Sequence, residues 1–178
     1  MIIGITGKSG AGKSTLSKLI KKFGDNFEYI EFDAIAHQTL DDKQVQDFIK
    51  RKLDIEVSST NRKELANFIF NNQNKTLEVK MVTTMMWDKM KEIIDDKIKD
   101  NSKNFIFDWI LLPVTHYFKM CNIKILVVPC NDFIRKKCAV LRDNISSVEM
   151  RRRDKAALKY DENDFDFVIK NNYTKMEI

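Results

Sequence analysis

Residues 7 to 15 of the chain read GKSGAGKST, so that Gly7 and Gly12 are followed at fixed spacing by Lys13 and Ser14 in the pattern GxxxxGK[ST]. Each residue type has a physical task there. Glycines let the backbone of Gly7, Lys8, Ser9, Gly10, Ala11 and Gly12 turn tightly enough for successive N–H groups, through Thr15, to point at phosphate oxygens. Lys13 then spans a β- and a γ-phosphate, and the Ser14 hydroxyl is placed to ligate Mg²⁺. The flanks supply the context the motif requires. IIGI ahead of it is a short β-branched run, and TLSKLIKKF behind it carries apolar residues at helical spacing. A helix starting at Lys13 adds its positive end to the loop. A chance glycine turn would have neither flank. Lys8 either adds charge near the γ-phosphate or stays solvated.

Phosphoryl transfer to a hydroxyl also needs a carboxylate that takes or orients its proton. Asp33 follows the apolar run YIEF and precedes a helical pattern, which suits such a base and equally an N-cap for a helix starting near Ala34. His37 lies one helical turn on, on the same face, as an acceptor-phosphate contact or as surface cover. Asp108 ends the run NFIFD, where P-loop proteins place the carboxylate that holds Mg²⁺, often through water; the plainer alternative is a turn aspartate. Ser146 to Glu149 form a capping box, with Arg142 ahead of it and Arg151, Arg152 and Arg153 one to two turns in. Two short helices with arginines at their junction make a lid that closes over ATP and excludes water, although RRRDK also reads as a solvated helix face. Met81, Met85, Met86 and Met90 recur at helical spacing, as core packing or as the lining of an acceptor pocket. At the end of DFVIKNN, Asn171 is placed to bond an adenine edge or belongs to a plain edge strand.

These residues need elements to carry them. The patterns predict strands at 2–6, 28–32, 104–108 and 123–128 and a last strand in DFVIKNN. Helices are expected at 13–23, 114–120, 132–142 and 147–159, with a helical stretch from about 34 to 101 broken near 54–61 and 71–75. Short buried strands alternating with helices mean right-handed crossovers and a parallel sheet covered on both faces. The expected class is α/β: a three-layer P-loop kinase fold with a five-stranded parallel sheet, a helical acceptor-binding arm and a small helical lid. We expect a single domain, with the core at about 1–33 and 104–178, the arm at about 34–101 and the lid at about 142–155.

Composition narrows the class further. A length of 178 residues suits one core, and 43% hydrophobic residues with twelve phenylalanines suit an ordered globule. No apolar run approaches the roughly 20 residues of a membrane span, and the apolar stretch in MIIGITGK is too short for a signal peptide. A cytoplasmic setting is expected. Cys121, Cys130 and Cys138 have neither an even count nor CxxC spacing and read as reduced thiols. The net charge of +5 arises from 31 basic and 26 acidic residues interspersed along the chain, which nucleotide phosphate explains as well as nucleic acid does. All five glycines lie in the first 24 residues, which excludes a DxxG switch or an LSGGQ signature later in the chain.

With the loop, YIEFDAIAHQTL, ELANFIFNN, FIFDWILL, the pair Arg142-Asp143 before SSVEMRRR, and DFVIKNN in that order, the chain resembles the dephospho-coenzyme A kinase family over most of its length. That family is similar in opening on TGGxGSGKS and in carrying DAD-x-x-A-[RH], a strand ending DxPLL, an RD-x-x-S lid and a closing DYVIDN. Here these read TGKSGAGKS, EFDAIAH, DWILL, RDNIS and DFVIKN. Glu31 and Ile110 stand where the family has aspartate and proline, and its His-Pro pair is absent from LEVKMVTTMMWDKM. The resemblance implies ATP-dependent phosphorylation of the ribose 3′-hydroxyl of dephospho-CoA with Mg²⁺. It implies Asp33 as the acceptor's base, Lys13 and Arg142 on the transferred group, and Ser14 and Asp108 on the metal. We expect small-molecule substrates, neither nucleic acid nor membrane, and a monomer. Taken alone, the residues leave open a nucleoside or nucleotide kinase of the same fold, and a nucleotide-binding regulatory protein without turnover.

Overall fold

A computed structural model describes residues 1–71 and 76–173. The chain divides into two compact units, one of residues 1–30 with 102–178 and one of residues 31–101.

The first unit is organised by β1 (Ile2–Thr6), which lies at the centre of a parallel sheet. Around it stand β2 (Phe27–Glu31), β3 (Asn104–Asp108), β4 (Ile123–Pro129) and β5 (Phe167–Asn171), in the order β2-β3-β1-β4-β5. In the register of β1 with β3, Ile5 is the partner of Asp108. Central parallel strands are covered on both faces and therefore read as unbroken apolar runs, as IIGI and FIF do here. Ile3, Ile5, Ile106, Ile125 and Val127 form one core cluster with Ala11, against which Leu16, Ile20, Phe27 and Tyr29 pack. Leu16 and Ile20 come from α1 (Lys13–Phe23), whose apolar positions three and four apart seat it on the sheet. A 3₁₀ turn at Leu112–Val114 and the short α6 (His116–Met120) lead from β3 to β4.

Two helices follow β4. The first, α7 (Asp132–Asp143), ends on Asn144 in the left-handed region, φ 50°, one of the asparagine stops that replace glycine here. The second, α8 (Ser147–Ala156), starts where the capping box was expected, with Ser146 Oγ accepting from the Glu149 N–H at 3.1 Å. Between them lies the guanidinium of Arg135, fully buried. Its Nε donates to Asp132 Oδ1 at 2.7 Å and its Nη2 to Asp154 Oδ2 at 2.7 Å, so the desolvated charge is met by carboxylates from both helices.

The second unit is helical: α2 (Phe32–Gln38), a 3₁₀ turn at Thr39–Asp41, α3 (Lys43–Leu53), α4 (Lys63–Asn71) and α5 (Leu77–Lys97). Its core is Leu40, Val45, Ile49, Ile55, Val57, Leu65 and Val82, with Met85 and Met86 packed against it and Met90 buried. The methionine stripe is thus largely packing. Asp42 caps α3 by accepting from the Gln44 and Val45 N–H groups and also pairs with Lys89 of α5 at 3.1 Å. Of the two expected helix breaks, the first falls after Asp54, at φ 56°, while residues 72–75 of the second lie outside the described residues.

One local expectation is corrected. Helix α2 begins at Phe32 with Glu31 as its N-cap residue, so Asp33 lies in the first turn and does not cap a helix starting near Ala34. Strand β2 ends a residue earlier than the apolar pattern suggested, because Phe32 belongs to the helix.

The pairing of Asp132 with Arg135 and Lys136 within α7 has a pH signature. Hydrogen bonds from Arg135, and next from Lys136, hold the Asp132 carboxyl down at about 2. A depressed carboxyl contributes stability above its unfolded value of about 3.9 and loses it as pH falls toward the folded value. Urea midpoints of the wild type should therefore fall between about pH 4 and pH 2 more steeply than those of Asp132→Asn, and parallel acid limbs would contradict the pairing.

Candidate active site

The loop joining β1 to α1 runs through backbone conformations that only glycine adopts readily. Gly10 (φ +78°) and Gly12 (φ +102°) occupy conformations that side chains rarely adopt. A Cβ at Gly10 would come within 2.6 Å of the Arg135 carbonyl oxygen, and one at Gly12 would run into the Asn171 amide. The Ala11 N–H turns back to the Lys8 carbonyl at 3.0 Å, and Lys13 Nζ rests 3.4 Å from the same oxygen. The pocket so formed is lined by Gly10, Gly12, Lys13, Ser14, Thr15, Lys18 and Arg142. Gly7, Lys8, Ser9 and Ala11 build the turn behind it. Lys18 was not singled out from the sequence, though its place four residues after Ser14 puts it on the same helix face.

Asp108 closes β3 and is 3% exposed. Its Oδ2 accepts from Tyr29 Oη at 2.9 Å and from Ser17 Oγ at 3.4 Å, and the Trp109 N–H goes to the Ile5 carbonyl at 3.2 Å. The turn-aspartate alternative is corrected by these partners: the carboxylate is held by side-chain hydroxyls from α1 and β2. Ser17 and Tyr29 escaped sequence reasoning because each looks like an ordinary polar residue of an amphipathic element.

The arginine junction brings Arg142 to the loop. Its Nε and Nη2 grip the Asp143 carboxylate at 2.7 and 3.1 Å, and Nη2 also lies 3.3 Å from Ser9 Oγ. Arg153 shares Asp143 at 3.1 Å and holds Glu149 at 2.7 Å, whereas Arg151 and Arg152 are exposed. Burial pushes the Asp143 carboxyl up, but bonds from Arg142 and then Arg153 outweigh it and leave it below the usual range. A carboxylate thus sets the direction of the arginine that lines the pocket.

Asn171, the last residue of β5, faces the loop backbone. Its Nδ2 donates to the Ala11 carbonyl at 2.9 Å and its Oδ1 accepts from the Tyr173 N–H at 2.8 Å. Burial pushes the Tyr173 phenol up to about 12, so at neutral pH its hydroxyl is protonated and donates to the Gly10 carbonyl at 3.0 Å. Neither Tyr173 nor Arg135 carried a signal in the sequence.

In the helical unit, His37 lies one turn beyond Asp33 on α2. Burial first, and then the charge of Arg62, lower the pKa of His37, with Asp33 opposing them. The histidine is therefore neutral at physiological pH.

Comparison with known proteins fits this geometry. The family model for dephospho-CoA kinase (CoaE) matches residues 1–177. A dephospho-CoA kinase of Fusobacterium nucleatum is 31% identical over 179 residues, which cover 97% of this chain and 90% of that protein. One from Carboxydothermus hydrogenoformans is 30% identical over 170 residues, covering 90% and 80%. Among solved structures, TT1252 from Thermus thermophilus superposes with a TM-score of 0.76 at 22% identity, covering 97% of this chain and 88% of that one. The dephospho-CoA kinase from Campylobacter jejuni superposes at 0.63 and 19% identity, covering 97% and 89%. These two structures share the fold.

Lys13 is the ammonium that the loop itself contributes to the pocket, and if this pocket holds the transferring phosphate, Lys13→Ala removes charge where it develops. Loss of such a contact costs several kcal/mol of transition-state stabilisation. Turnover should fall by at least 10²-fold while the melting temperature stays near that of the wild type; turnover within threefold would contradict the assignment.

Proposed function

The chain belongs to the dephospho-CoA kinase family, and on that premise we propose how its residues divide the work of moving the γ-phosphoryl group of ATP to the 3′-hydroxyl of dephospho-CoA. The products are CoA and ADP. The observation that carries the division is the pocket in which Lys13, Ser14 and Arg142 line the same stretch of loop backbone.

In this reading the N–H groups of Gly10 and of Gly12 through Thr15 hold the triphosphate, and Lys13 swings from the Lys8 carbonyl onto the β- and γ-phosphates. Arg142, aimed by Asp143, meets the charge on the transferring group, and the α7–α8 pair acts as the lid. Asp33 takes or orients the proton of the 3′-hydroxyl. Its support is the match of FDAIAH to the family's acceptor segment and its place two residues beyond the end of β2. Arg62, whose charge helps keep His37 neutral, and His37 itself receive the acceptor's phosphates. Asn171 serves the loop.

Mg²⁺ is part of the proposal. A hard cation takes oxygen donors, and the Ser14 hydroxyl and the Asp108 carboxylate are such a pair. Both hydroxyl bonds to Asp108 fall on Oδ2, which leaves Oδ1 to bind directly or through water. Among the described residues no group of three or more His, Cys, Asp or Glu forms a metal cage, in keeping with a cation shared with the nucleotide's own oxygens. When bound, the ion would neutralise the charge that develops on the phosphate oxygens.

The same reading makes the protein a cytoplasmic monomer that needs neither nucleic acid nor membrane. Both substrates are soluble small molecules. No described helix is long and apolar enough to cross a membrane.

The test is ADP formation in Mg·ATP with dephospho-CoA, adenosine, uridine, AMP or CMP as acceptor. Dephospho-CoA alone should exceed the water background, and its absence from the accepted substrates would overturn the assignment. Asp33→Asn should lower kcat by about 10²-fold or more and leave the KM for ATP within a few-fold, since general-base contributions lie in that range. An Asn variant that lost ATP binding but kept its turnover at saturation would make Asp33 a nucleotide ligand instead.

A further inference from the structure

Three successive carbonyls of the phosphate loop are each bound by a side chain from another element. Arg135 Nη1 donates to the Ser9 oxygen at 2.8 Å, Tyr173 Oη to the Gly10 oxygen at 3.0 Å, and Asn171 Nδ2 to the Ala11 oxygen at 2.9 Å. The peptides are trans and planar, so each carbonyl points away from the N–H of the residue that follows it. Pulling the Ser9 oxygen toward Arg135 therefore turns the Gly10 N–H the other way, and pulling the Ala11 oxygen toward Asn171 does the same for Gly12. Gly10 and Gly12 are the two residues from this part of the loop that line the pocket. The N–H between them, that of Ala11, is taken up inside the turn by Lys8. Two of the bound carbonyls, those of Ser9 and Ala11, thus precede residues that line the pocket, and the third, that of Gly10, precedes the amide that closes the turn.

We propose that Arg135, Asn171 and Tyr173 are positioning residues that hold the phosphate loop in its anion-binding conformation by fixing these three carbonyls outward. None of them touches the nucleotide in this role. Glycine at positions 10 and 12 gives the loop access to positive φ and equally to many other conformations, and an unliganded loop free to sample them would lose its convergent amides. Fixing the peptide planes beforehand removes that ordering cost from the binding step. Arg135 links the same carbonyl row to α7 and α8 through Asp132 and Asp154, so the base of the lid and the loop share one anchor.

The inference rests on the pocket being the ATP site, and it is tested by probes that separate phosphate from base. Tyr173→Phe and Asn171→Ala each remove one carbonyl donor and spare the fully buried Arg135. Binding of ADP and of inorganic tripolyphosphate is measured by calorimetry for wild type and both variants, with melting temperatures alongside. One hydrogen bond lost from the preorganised loop should weaken both ligands by about three- to tenfold, and by the same factor for each. Should Asn171→Ala weaken ADP while leaving tripolyphosphate unchanged, Asn171 reads the adenine and the inference fails for it. A lowered melting temperature with unchanged affinities would reduce the contacts to ordinary packing and overturn the proposal. Wild-type protein that bound neither probe would sink the nucleotide-site reading itself and this inference with it.

Discussion

Bare backbone has to do the work of a charged side chain at the start of this protein, and that requirement shapes the rest of it. Amide N–H groups converge on an anion only where no Cβ intervenes, yet a glycine-rich turn has no side chains with which to brace itself. Its shape must come from elsewhere. In the unit of residues 1–30 and 102–178, that support arrives from α7, from the end of β5 and from the residue two beyond it. The glycines also fit closely against those supports, because a Cβ at Gly10 or Gly12 would strike them.

The parallel sheet makes this convergence possible. Every strand runs the same way, so the chain leaves all of them at one edge, and side chains distant in sequence meet there. The loop follows β1, Asp108 ends β3, α7 begins just past β4 and Asn171 ends β5. The central place of β1 then puts the loop between neighbours on both sides: Asp108 with its hydroxyl partners toward β3, and the carbonyl-binding groups toward β4 and β5. Arg142 reaches the same pocket because Asn144 stops α7 where its last turn lies beside Ser9.

How much of this was legible depended on sequence separation. Loop, strands and helices are written in neighbouring residues, so the glycine spacing, the IIGI run and the S-x-x-E cap gave their positions closely. The start of α2 was misplaced because Phe32 suits the end of a strand and the first turn of a helix equally well, and no capping side chain marks the boundary. Ser17, Tyr29, Arg135 and Tyr173 were invisible for a different reason. Arg135 meets Ser9 across 126 positions and Tyr173 meets Gly10 across 163, and nothing local to an arginine in an amphipathic helix or a tyrosine after a strand announces such a partner. Asn171 closes the last strand, and the sequence alone reads it as an adenine contact or as part of a plain edge strand. Which way its amide turns, toward loop or ligand, is decided by packing that only the folded chain has.

The span between the loop and its supports has a consequence for biosynthesis. Translation delivers residues 7 to 15 well before the groups that fix their carbonyls, with Asn171 and Tyr173 more than 150 residues behind. At synthesis rates of about 5–20 residues per second, the nascent loop waits on the order of ten seconds before its shape can be set. A growing chain therefore carries the glycine-rich motif long before it carries the contacts that fix it, and a product truncated ahead of β5 would keep the motif's residues and lack two of its three carbonyl donors.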